Sequence, residues 1–195
     1  MFSGNQHFID ISVRKRWSRT YVDEMGLPTK LVGDWLENNL AYAYDYYMDL
    51  KAALLKKKLK YYDFISYSVV EDDENVKQIC VQVGDIVDIE EETEGVAYAQ
   101  VKAIVTHTQN DGKTYPFFIF NWFADTDRTH NILEVPIYVL QNISDQCWRR
   151  VYPIMHVNRE SHVHFVHHCT QNCVVTQHDE TAHRFFKNNF LYNAV

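Results

Sequence analysis

The chain has 195 residues, 46% hydrophobic and 14% aromatic, with 6 Gly, 4 Pro and a net charge of −7. That much ring and aliphatic surface can repay the entropy of ordering, which excludes an intrinsically disordered protein, and so few Gly and Pro exclude a low-complexity linker. No apolar run approaches the roughly 20 residues that span a bilayer, and Met1 to His7 lack the basic and apolar blocks of a secretory leader, so a soluble intracellular chain without a membrane partner is expected.

In chain order, Arg14, Lys15, Arg16 and Arg19 surround Trp17 in a small basic stretch. Residues 29 to 60 read as one helix. Thr29 follows Pro28 as an N-cap, and Leu31, Trp35, Leu36, Leu40, Tyr44, Tyr47, Leu50, Leu54 and Leu55 recur every three to four positions. Lys56, Lys57, Lys58 and Lys60 close it, either as a solvated face favouring the helix dipole or as a contact to nucleic acid.

The character changes at Tyr61 to short β-branched and aromatic runs with polar breaks. Strands are expected at 63–70, 76–83, 85–89, 97–107 and 115–123, with Asn110-Asp111-Gly112-Lys113 turning a hairpin. Gly84 permits a bend, and Asp85 is expected to accept backbone amides there. Pro136 marks 132–140 as an edge strand or extended segment. Val151 to Val157 and His162 to His168 are later strands, and 179–192 is a closing helix or a last extended segment. The expected class is α+β. An N-terminal helical extension (1–62) packs on a small twisted antiparallel β-barrel (63–195) with a Cys/His-rich tail.

The charge is uneven. Residues 1–62 carry 10 Lys/Arg against 7 Asp/Glu, whereas residues 63–195 carry 9 against 19, a balance of −10. An acidic module repels a phosphate backbone and suits a basic peptide, although acidity also simply keeps a protein in solution.

Val83-Gly84-Asp85-Ile86-Val87, then Ala97 to Ile104, then Phe118-Ile119-Phe120-Asn121-Trp122-Phe123, then Ile137 to Ile143 follow an order that resembles the bromo-adjacent homology (BAH) domain. The stretch from His162 to Cys169, with Cys173 and 185–193, resembles the end of BAH-like regions in fungal transposase-related proteins of the Kyakuja-Dileera-Zisupton type. The resemblance covers about a third of the chain. Here Ala124-Asp125 stands where the family often continues with Pro-Glu. It implies a β-rich barrel, nuclear and non-catalytic, that binds a protein or histone-tail peptide. Its implied aromatic groove is Tyr98, Tyr115, Trp122 and Trp148, with Asp125 as the acidic partner for a cation. Alternation puts Trp122 and Phe123 on opposite faces, and either ring can fill the core instead.

Six of ten histidines lie between 162 and 183, with two of the four cysteines. Cys169, Cys173, His178 and His183 approach the spacing of a zinc knuckle, which would make zinc a structural cofactor; His167 or His168 could replace either histidine. Ordinary core thiols and a strand decorated with imidazoles are the alternative. Two other functions stay open. One is a nucleic-acid-binding remnant of a mobile element. The other is a metal-dependent hydrolase, disfavoured because no carboxylate follows the histidines at close ligand spacing and no phosphate loop is present.

Overall fold

The computed structural model describes residues 7–31, 35–50, 57–70, 75–91, 95–141, 150–157, 165–167 and 184–187. They are mostly antiparallel β-structure, divided between two units. The first unit takes 1–85, 101–120 and 149–157, and the second 86–100, 121–148 and 158–195.

In the first unit the first described element is a strand, β1 (His7–Arg16). It pairs antiparallel with β2 (Leu59–Val70), with an irregularity between Ile9 and Ser12 where Asp10 adopts a left-handed φ of 55°. The boundary expected between residues 62 and 63 therefore falls inside a strand. On its other side β2 meets Ile104–His107 of β5 (Gly95–Thr108) and then β3 (Val76–Gln82). Flanked on both sides, β2 has Tyr61, Ile65 and Tyr67 in the core.

The single helix expected over 29–60 is not formed. Lys30 and Lys58 make an antiparallel bridge instead, and the Leu31 and Leu59 amides donate across it to the Lys57 and Thr29 carbonyls at 3.0 and 3.3 Å. Thr29, expected as an N-cap, is part of this ladder. Ser18 caps a helix further upstream, α1 (Arg19–Glu24), by accepting the Tyr21 amide. The main helix, α2 (Trp35–Tyr42), buries Leu36 and Leu40 and continues as a π turn (Ala43–Tyr47) that buries Tyr44. It stops where Asp49 turns left-handed (φ 50°) and the Leu50 amide caps the Tyr44 carbonyl at 2.9 Å. The Tyr47 ring is fixed against Tyr152 and His156 at centroid separations of 5.0 and 4.6 Å. Tertiary contacts thus set the helix end against a periodicity that ran on. Leu54 and Leu55 lie outside the described residues.

The hairpin at Asp111-Gly112 forms as its residues dictate. Gly112 takes a φ of 84°, and Asp111 Oδ1 accepts the Lys113 amide at 2.7 Å. The return strand β6 (Thr114–Thr129) buries Phe117 to Phe120 consecutively, because both its faces are covered there. It pairs with β8 (Val151–Pro153), which a 3₁₀ turn (Ile154–His156) follows. Asn39 of α2 accepts the Arg150 amide at 2.8 Å and so ties the helix to β8. The bend at Gly84 also matches expectation. Its φ is 98°, and Asp85 Oδ2 accepts the Gln82 amide at 2.9 Å.

The second unit holds β4 (Ile86–Glu91) paired with Gly95–Gln100 of β5. It also holds the ladder that starts from the outer half of β6 and runs through β7 (Pro136–Leu140) and β10 (Arg184–Lys187) to β9 (Phe165–His167). Pro136 occupies the first position of β7, where a missing amide costs no ladder bond. Yet β7 is not an edge, since β6 and β10 flank it. In neither unit does the order of described strands return to its start. The antiparallel β character agrees with expectation, and a closed barrel does not.

Candidate binding site

Residues directly opposite in an antiparallel ladder share a face. In the second unit this rule builds a site. Tyr98 on β5 faces Asp88 on β4. Asp125 on β6 faces Tyr138 on β7. Tyr138 faces Phe185 on β10, and Lys187 at the end of β10 faces Phe165 on β9.

The side chains converge. Tyr98 meets Tyr138 and Phe165 edge to face, at centroid distances of 5.9 and 5.5 Å, and Tyr138 meets Phe165 at 5.1 Å. Phe123 backs the group, stacked on Phe165 at 4.0 Å and edge-on to Phe185 at 5.4 Å. In T-shaped packing the positive edge of one ring meets the electron-rich face of another, and ring faces left outside such contacts attract cations. Tyr98, Tyr138 and Phe165 are only partly buried, so the patch can be reached from water, whereas Phe123 is buried beneath it.

Charge completes the group. Asp88 is buried and Asp125 exposed. Asp125 Oδ1 accepts the Asp127 amide at 2.8 Å, at a register irregularity of β6 where Asp127 has a left-handed φ of 55°. Burial first, then the Asp125 carboxylate and the neighbouring Tyr98 phenol, hold the Tyr138 hydroxyl protonated beyond the usual tyrosine range. A cation is already present. The Lys187 ammonium donates to the Tyr98 hydroxyl at 2.7 Å and lies 4.6 Å from the ring centroid. The two distances together put the ammonium at the hydroxyl rim of the ring.

Of the expected groove residues, Tyr98 and Asp125 belong to this site. Trp122 is buried, which makes it a core residue. Tyr115 lies in the first unit, where its hydroxyl donates to Asp111 at 2.9 Å and its ring meets Tyr44 edge-on at 5.7 Å. There the Tyr44 hydroxyl is 2.8 Å from Nδ1 of His107. Burial above all, with Tyr115 and Asp111 adding to it, keeps Tyr44 protonated, and the His107 tautomer sets which of the two donates in this bond. Both residues are fully buried, and no substrate reaches them without local opening.

Trp148 and the expected metal ligands Cys169, Cys173, His178 and His183 lie outside the described residues. Among the described residues, no group of three or more His, Cys, Asp or Glu side chains is placed to hold a metal ion, and no helix is long and apolar enough to cross a membrane. Sequence reasoning missed Tyr138, Phe165, Lys187 and Asp88. A signal existed only for Tyr138, which lies in an apolar run after Pro136. No protein-family model, no curated protein and no solved structure matches the chain.

Proposed function

We propose that the chain is a non-catalytic binding module that takes a cationic side chain of a protein or peptide on the face formed by Tyr98, Tyr138 and Phe165. One observation carries this reading. Three partly exposed rings converge, a lysine ammonium already sits against one of them at the Tyr98 hydroxyl, and each tyrosine has an aspartate directly across the ladder. Aromatic faces hold ammonium ions through their quadrupole, and nearby carboxylates reinforce the field. The −10 balance of residues 63–195 draws basic partners toward the chain. The resemblance to BAH domains agrees with this reading, and a basic tail of a nuclear protein such as a histone is the partner class it favours.

The test is a titration of the full chain with a basic peptide carrying one lysine, unmodified or trimethylated, followed by NMR of the aromatic side chains. Shifts should centre on Tyr98 and Tyr138. Tyr138→Ala should weaken binding about fivefold, the worth of one cation–ring contact of about 1 kcal/mol. Shifts centred elsewhere, or no binding, would overturn the proposal.

A structural zinc held by Cys169 and Cys173 with two histidines is part of the same proposal. Elemental analysis of protein made in zinc-supplemented medium should find about one zinc per chain, reduced by Cys173→Ser. Metal-free protein would remove zinc from the reading and leave the aromatic site intact.

A further inference from the structure

We infer that Lys187 is a built-in competitor for this site, so that an external cation binds only by displacing the chain's own lysine. The inference rests on the binding reading above and adds its regulation.

The hold on Lys187 is specific in place and weak in kind. Its ammonium has three donors, and the described structure engages one, on the neutral Tyr98 hydroxyl at 2.7 Å. Among the described residues no carboxylate lies within ion-pair distance of it. The contact is only partly buried. A lysine held by a neutral oxygen at a ring edge, on a flexible four-carbon stem, can withdraw without breaking its backbone pairing.

Delivery is precise by contrast. Lys187 ends β10, whose three register pairs with β7 place Phe185 opposite Tyr138. Two residues on, the same face of the strand carries Lys187 to Tyr98. Its partner across the ladder, Phe165, is itself one of the three rings. The ladder that supplies a wall of the site therefore also supplies its occupant. A protein that spends part of its time with the site self-filled shows an affinity lowered by the fraction that is open. Any change that removes the Lys187 charge opens the site. Acetylation of Nζ, in which an acyl donor such as a thioester forms the amide and its thiol leaves, would be one.

The test uses the full chain and two small probes, Nα-acetyl-lysine methylamide and its trimethyl-lysine counterpart. Affinity is read from the Tyr98 and Tyr138 ring signals in the wild type and in Lys187→Met, which keeps the apolar stem and deletes the charge. Lys187→Met should bind both probes about fivefold more tightly. In the wild type, saturating probe should move the Lys187 15Nζ signal to its solvent-exposed position. Equal affinity in both proteins, with the Lys187 signal unmoved at saturation, would overturn the competitor and leave the binding reading standing. Binding by neither protein would overturn both.

Discussion

Two tyrosine clusters, one in each unit, use the same residue type for opposite ends. In the first unit His107, Tyr115 and Phe117 close around Tyr44, whose hydroxyl is fully buried against the imidazole. In the second, Tyr98 and Tyr138 stay partly exposed, and a lysine ammonium meets a hydroxyl at the surface. The difference is desolvation. A buried hydroxyl needs a fixed partner and becomes part of the fold, whereas a half-wet one can exchange its partner for a ligand. An aromatic cluster is therefore read for function by the solvent at its polar atoms, and ring count says little.

The contrast breaks most sharply by truncation. Tyr44→Ala should destabilise the chain by about 3 to 5 kcal/mol in urea unfolding, as for other deletions of a large buried ring, whereas Tyr98→Ala should cost about 1 kcal/mol. Near-equal losses would mean that the second cluster is core as well. Tyr44→Phe isolates the hydroxyl. It leaves Nδ1 of His107 without this partner and should cost about 1 to 3 kcal/mol.

Alkaline pH tests the same point through the proton. An unfolded tyrosine titrates near 10.0, and burial raises folded Tyr44 well above that. Above pH 10 the unfolded chain releases this proton while the folded chain keeps it, so unfolding becomes more favourable as pH rises. The stability that Tyr44 contributes is thus intact below pH 10 and declines above it. Urea midpoints at about pH 8 and about pH 11 should fall further apart for wild type than for Tyr44→Phe. Tyr138 shifts in the same direction and adds less, since water screens it.

The smallest expected effect is that of Tyr98→Phe. It keeps the ring and removes the acceptor for Lys187, so stability should change by less than about 1 kcal/mol. The Lys187 15Nζ signal should nonetheless move to its exposed position. An unmoved signal would place the ammonium on the ring face, with the hydroxyl incidental.

Local chemistry was legible wherever one residue type dictates one backbone state. Asp111-Gly112 announced its hairpin and Gly84-Asp85 its bend, because a left-handed φ and an aspartate accepting amides are short-range matters. The helix was misread because periodicity cannot see a ladder between Lys30 and Lys58, or a ring cluster that ends it at Tyr47. The site was half legible. Tyr98 lies between Ala97 and Ala99, so an aromatic on one face of a strand could be read directly. Lys187 and Phe165 could not, since strands of three and four residues carry too little pattern to fix a register. Tyr138 needed knowledge that β7 returns to β6 with Asp125 opposite it.

The pairing of β1 with β2 carries a consequence for synthesis. His7 finds its partner at Val70, so during translation β1 waits for about 60 more residues before its ladder can zip, a non-local step of the kind that slows β folding. Throughout that wait it offers bare amides and carbonyls, and even in the folded chain Ile9 and Ile11 remain exposed. Such a strand invites pairing with a neighbouring nascent chain. The irregularity at Asp10 and the run of Arg14, Lys15 and Arg16 answer that hazard. A kinked, cationic strand is a poor template for a second copy of itself, and it still accepts β2 when β2 arrives.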